Sequence, residues 1–308
     1  MSGFADALQD SIARTASVLV AGCDPVIDTL PQFLVDEACR RHQDSRGVIA
    51  HVLSAFSDAF VSAVDGRVAA VKPNIAFFEQ YGLAGLEAFE ALCRKVRERG
   101  IPLIVDAKRG DIGSTAAAYS AAFLGRATAG GKPVKAFEGD ALTVSPYLGF
   151  DTLEPFLKDC VAHGKGLFIL VQTSNPGAKS LQGLEAGGRT VSQHVAHWVA
   201  ERGSVLLGSC GWSGLGAVVG ASYPREAQDL RAIMPDNFFL IPGLGAQGAG
   251  AAEAVAGFGV KGGKRGGALV NASRGLLAGT SSTLEELSGM IRGNVERFNA
   301  DLSSALQG

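Results

Sequence analysis

Eight short runs of β-branched and other apolar residues, each ending in turn chemistry, recur along the chain, and helical patterns separate most neighbours. The runs are Ser17–Cys23, Arg67–Lys72, Pro102–Lys108, Ala141–Ser145, Leu167–Thr173, Ser204–Ser209, Phe238–Pro242 and Ala268–Ala272. Val48–Val64, Leu86–Arg99 and Ser282–Arg297 carry helical periodicity. Strands that are apolar without alternation are buried on both faces, the condition of a parallel sheet covered by helices. Eight such units favour a closed barrel over an open doubly wound sheet. A chain of 308 residues suits one large barrel, and no composition shift or Pro/Ser-rich linker divides it. The expected fold is α/β, a (β/α)8 TIM barrel forming a single domain over residues 1–308, with a short N-terminal helical extension.

Composition removes several function classes. The formal net charge is −2, so no basic footprint for nucleic acid exists. Cys23, Cys39, Cys93, Cys160 and Cys210 show no CxxC spacing. They are read as buried reduced thiols rather than a disulfide framework or zinc site. No basic segment followed by an apolar one opens the sequence, and no window nears about 18 uninterrupted apolar residues. A soluble, cytoplasmic protein with no membrane partner is expected.

Chemistry in a parallel barrel gathers at the C-terminal ends of the strands, and here those ends are polar. Strand one ends in Asp24, strand two in Lys72, and strand three in Asp106 and Lys108. Strand five leads into Ser174, strand seven into Gln247, and strand eight into Ser273 and Arg274. Asp106 and Lys108 lie two apart, so both face the barrel interior. Charges there are costly unless paired. A plain structural ion pair accounts for these two but not for Lys72 on the neighbouring strand or Asp111 just beyond. Two lysines and two acids at one mouth read as a charge network. From its position, Asp111 could reach its own pocket or a partner's, and spacing does not choose.

The segment Gly243-Leu244-Gly245-Ala246-Gln247-Gly248 matches GxGxxG, yet no acidic residue follows where a dinucleotide site requires one. Glycine backbone after strand seven, with Gln247 and the forked donor Arg274, suits a phosphate instead. Other features have plainer readings. His194 and His197 lack a metal-ligating carboxylate partner, and Trp198 and Trp212 are expected to pack. Lys261–Gly267 (KGGKRGG) reads as a mobile surface loop, with a weak anion contact as its functional alternative.

Taken together, these residues resemble the orotidine 5′-phosphate decarboxylase family, and more narrowly its longer bacterial subgroup, typical of mycobacteria and their relatives. The D-x-K-x-x-D-I-x-x-T run at Asp106–Thr115 carries the resemblance. Supporting it in barrel order are Gly22-Cys23-Asp24-Pro25, Val71-Lys72-Pro73-Asn74, Thr173-Ser174-Asn175-Pro176-Gly177, Pro242–Gly248 and Asn271-Ala272-Ser273-Arg274. One departure is Ser145, where the subgroup has Asn before Pro, and Ser145 is left out of the site.

The resemblance implies a carboxy-lyase that converts orotidine 5′-monophosphate to UMP in pyrimidine biosynthesis, with no metal and no cofactor. Asp24 and Lys72 would hold the ribose hydroxyls, and Asp106 would face the scissile carboxylate. Lys108 would protonate C6. Asp111 and Thr115 would be donated across a homodimer interface. Ser174 would bond the pyrimidine edge, Pro242 would line the substrate pocket, and Gln247 and Arg274 would grip the phosphate. Two other readings stand beside this one. The first is a metal-dependent sugar-phosphate synthase or decarboxylase of the same superfamily. The second is a non-catalytic barrel that binds a phosphate ligand and would not need Lys108.

Overall fold

The computed structural model describes residues 3–221, 223–244 and 250–307. Its apolar runs form eight parallel strands: β1 (Leu19–Cys23), β2 (Ala70–Pro73), β3 (Ile104–Arg109), β4 (Ala141–Val144), β5 (Gly166–Gln172), β6 (Ser213–Val219), β7 (Asn237–Pro242) and β8 (Ala268–Ala272). They neighbour one another in the order β2-β1-β8-β7-β6-β5-β4-β3. The two edges meet through parallel bridges from Val71 to Leu103 and from Asn74 to Asp106, which close the barrel. The principal helices are α1 (Phe4–Thr15), α2 (Gln32–Arg41), α3 (Ser45–Val64), α4 (Gly82–Glu98), α5 (Gly113–Phe123), α6 (Glu154–His163), α7 (Val191–Arg202), α8 (Pro224–Ile233) and α9 (Leu284–Gln307).

Each strand turns alternate residues outward and inward. Leu19, Val71, Val105, Leu142, Ile169, Ala217, Phe239 and Val270 belong to the larger apolar cluster shared with the helices. Val20, Ala70, Ile104, Ala141, Phe168, Phe238, Leu240 and Leu269 form a second cluster. That second cluster also contains Phe4, Ala5 and Leu8 of α1, so the N-terminal helix plugs the barrel's N-terminal mouth. The Phe4 and Phe168 rings meet edge to face at 6.1 Å. Helix α3 is long and apolar enough to cross a membrane by length and composition. Here it packs against α2, α4 and α9.

The sixth strand lies elsewhere than expected. Ser204–Leu206 falls in a 3-10 turn, with Val205 and Leu207 exposed, and the strand is Ser213–Val219. Its glycines disguise it, for a reason visible in the packing. A Cβ on Gly216 would stand 2.5 Å from the Phe238 carbonyl oxygen and 2.6 Å from the Phe168 ring. Bulk supplied by the neighbouring strands occupies the space that a β-branched side chain would need.

The basic glycine-rich segment is likewise ordered rather than a free loop. Gly259–Lys261 and Lys264–Gly266 pair as an antiparallel hairpin around Gly262 and Gly263. Both glycines have positive φ, +56° and +75°, as a tight two-residue hairpin requires. Lys261 pairs with Asp236 at 2.7 Å, at the mouth opposite the polar strand ends. Of the cysteines, Cys23, Cys93 and Cys160 are buried, but Cys39 is exposed and Cys210 half-buried.

Candidate active site

Two residues beyond the apolar layer, the barrel interior becomes charged. Ala70 is followed by Lys72, Ile104 by Asp106, and Ala141 by Thr143. Lys72 Nζ donates to Asp106 Oδ2 at 2.6 Å, and Lys108 Nζ donates to Asp106 Oδ1 at 2.6 Å. Lys72 and Asp106 are buried, whereas the Lys108 side chain is 48% exposed. Burial on its own would raise the Asp106 pKa, but the two lysines outweigh it and hold the carboxyl well below the usual carboxylate range. Burial pulls Lys72 down, and the negative charges of Asp106 and Asp24 more than reverse this. The result at neutral pH is a cation–anion–cation chain whose outer ammonium reaches the solvent-facing mouth.

The backbone at Lys108 is unusual. Its φ is +46°, a left-handed conformation that costs a non-glycine residue about 1–2 kcal/mol. The β3–β4 register slips over the same stretch, between Val105 and Arg109. Strain of this kind persists only where the surroundings over-determine it, and it concentrates at functional sites. Here the surroundings include Thr143, whose Oγ1 accepts from the Ala107 and Lys108 amides at 3.1 and 3.0 Å. The same hydroxyl lies 2.9 Å from Asp106 Oδ1.

Among the described residues, none of the other expected ones hydrogen-bonds to this chain. Asp24 follows β1, and its Oδ1 is buried with no hydrogen-bond partner among the described residues. Ser174 follows β5 and is half-buried, and Pro242 ends β7. Arg274 is exposed at the start of the short turn after β8. Gln247 lies outside the described residues. Asp111 and Thr115 are not joined to the lysine–aspartate chain. Asp111 Oδ1 accepts from the Ile112 amide at 2.8 Å, and Thr115 is exposed on α5 beside Ile112, which is 62% exposed.

Sequence reasoning missed two contributors. Thr143 was hidden because its role depends on the β3–β4 register, although its inward phase follows from the strand alternation. In the sequence Gly22 stands out only as part of a motif. A Cβ there would sit 1.9 Å from Ser273 Oγ and 3.1 Å from Asn271 Oδ1. Glycine therefore lets the polar end of β8 close against β1, beside Asp24. His194, by contrast, hydrogen-bonds the Ala186 carbonyl at 2.8 Å, and Trp198 stacks on Phe150 at 5.1 Å.

Comparison with known proteins places these residues in a family context. The family described as "Orotidine 5′-phosphate decarboxylase / HUMPS family" matches residues 55–283. An orotidine 5′-phosphate decarboxylase of Rhodopirellula baltica is 43% identical over 274 residues, covering 89% of this chain and 88% of that protein. Its namesake from Caldicellulosiruptor bescii is 40% identical over 248 residues, covering 80% and 81%. Among solved structures, Leishmania donovani OMP decarboxylase superposes with a TM-score of 0.73 at 30% identity, covering 100% of each chain.

Proposed function

Because the chain belongs to the orotidine 5′-phosphate decarboxylase / HUMPS family, we propose that it converts orotidine 5′-monophosphate to UMP and CO2 at the charged mouth, without metal or cofactor. The observation that carries the proposal is the Lys72–Asp106–Lys108 chain, with its outer ammonium turned toward the mouth. The C6–carboxylate bond breaks, CO2 leaves, and the electron pair remains on C6 in the plane of the ring. No π system takes up that pair, so the site stabilises it electrostatically. A fixed ammonium aimed at developing charge does this. Lys108 Nζ then gives its proton to C6 and recovers one from solvent. Asp106, ionised throughout, sits against the departing carboxylate and holds both lysines in place.

The other residues bind the nucleotide. Asp24 and Lys72 take the ribose hydroxyls, Ser174 the pyrimidine edge, and Pro242 borders the base. Gln247 and Arg274 grip the phosphate. Binding energy from this remote group is then available to order the reacting centre. Carboxyl-labelled orotidine 5′-monophosphate should release labelled CO2 and UMP in equal amounts with the purified chain. If UMP does not form, the proposal fails.

The separation of Asp111 and Thr115 from the charge chain supports their donation to a second copy in a homodimer, through the surface that exposes Ile112. In a two-fold dimer the donation is reciprocal. Two inactive variants, Lys108→Ala and Asp111→Ala, should therefore complement each other. Random re-pairing of equal amounts puts one intact site in about half of the dimers, returning roughly a quarter of wild-type activity by two-fold symmetry. If subunits exchange and no activity returns, Asp111 serves its own chain.

A further inference from the structure

We infer that Thr143 is a positioning residue for the reaction: its hydroxyl locks the Asp106 carboxylate and the Lys108 backbone into one fixed relationship. The inference deepens the decarboxylase reading and rests on it. Thr143 is buried on β4, 1% exposed. A threonine hydroxyl has two acceptor lone pairs and one proton to donate. Two amides, those of Ala107 and Lys108, donate to it at 3.1 and 3.0 Å. Its third contact, at 2.9 Å, is Asp106 Oδ1, which as an ionised carboxylate oxygen can only accept. The three contacts therefore leave a single arrangement, two bonds accepted and one donated, and the hydroxyl proton is committed to Asp106.

The same hydroxyl repairs the sheet. The register slip between Val105 and Arg109 takes the Ala107 and Lys108 amides out of the regular β3–β4 ladder. Backbone pairing resumes where the Ser145 amide donates to the Arg109 carbonyl at 2.8 Å. Between those points the Thr143 side chain stands in for a backbone acceptor. It thereby holds Lys108 at φ +46°. One oxygen thus governs both members of the Asp106–Lys108 pair, the carboxylate through the bond it donates and the lysine through the amide bond it accepts. Angular misplacement of either member would weaken catalysis more than it weakens nucleotide binding, since neither contact involves a residue proposed to hold the phosphate.

The test compares Thr143→Val, which keeps the shape and removes the hydroxyl, with Thr143→Ser, which keeps the hydroxyl. Thr143→Val should lower kcat roughly 10- to 100-fold, the scale of a small misplacement of reacting groups. The Kd for UMP should change by less than about twofold, because the phosphate and ribose contacts are untouched. Thr143→Ser should recover most of kcat. Hydrogen exchange of the Ala107 and Lys108 amides, which does not depend on turnover, should accelerate in Thr143→Val and stay near wild type in Thr143→Ser. A valine variant with wild-type kcat overturns the inference, as does unchanged exchange. So does a serine variant as impaired as valine, which would make the role one of packing. A wild-type chain that forms no UMP removes the decarboxylase reading instead, and the exchange measurement still decides whether Thr143 holds this backbone.

Discussion

Both mouths of the barrel bury cations, and they do so in opposite ways. At the N-terminal mouth, Arg231 on α8 donates to the carbonyls of Gly257, Met234, Asn237 and Gly267 at 2.7–3.0 Å. Its guanidinium also lies 3.6 Å from the Phe239 ring centroid. Burial pushes its pKa down to about 9, and Asp236 opposes the shift only in part. Four fixed carbonyl dipoles and an aromatic face satisfy the charge, and α1 seals the space nearby. At the C-terminal mouth, Lys72 and Lys108 share the single carboxylate of Asp106, and Lys108 is half-exposed. The first arrangement is complete in itself. The second sets an exposed ammonium, that of Lys108, at an open surface, beside a carboxylate that also serves Lys72. A buried cation is therefore informative about function only through what satisfies it.

Removing one cation from each mouth should separate chemistry from stability. The largest effect belongs to Lys108→Ala, which under the proposed mechanism removes both the electrostatic stabilisation and the proton source. A loss of kcat of roughly 10⁴-fold is expected, with UMP binding retained and little change in thermal stability. Residual turnover near wild type would assign the proton to another group. Arg231→Met should do the reverse. It strands buried carbonyls and should destabilise the fold by about 2–4 kcal/mol, while kcat stays within about twofold in the folded fraction. Denaturant titration beside steady-state kinetics checks both sides, and a matching loss of kcat would dissolve the contrast between the mouths.

Arg274→Ala should have a smaller effect, confined to the charged mouth. Losing a charge-assisted phosphate contact is worth about 1.5–3 kcal/mol in kcat/KM. Part of that loss should fall on kcat if phosphate binding helps to order the reacting centre. An unchanged kcat/KM on the nucleotide would remove Arg274 from the site.

The sequence exposed the charged mouth more clearly than the sealed one. Lys72 and Asp106 were legible because strand alternation and barrel polarity together fix where such residues point, and Lys108 reaches the same carboxylate although its left-handed backbone interrupts the alternation. Thr143 was not, because its partners depend on a register slip that no single strand encodes. The sixth strand was misplaced because close packing by Phe168 and by the Phe238 backbone replaces β-branched residues with glycine. In Ser204–Ser209, an apolar run imitates a strand. The Lys261–Gly267 segment looked mobile from its composition, yet its paired glycines make a hairpin turn and Lys261 closes on Asp236. Asp111 stayed open between two pockets because spacing describes one chain, and the question concerns two.

In the proposed reaction a protein charge network alone carries the decarboxylation. Following the absorbance of orotidine 5′-monophosphate, with the exhaustively chelated chain beside the untreated one, tests this most directly. Equal rates of conversion to UMP are expected in the two samples. Turnover that disappears on chelation and returns with magnesium would contradict that expectation and support a metal-dependent reaction on the same barrel.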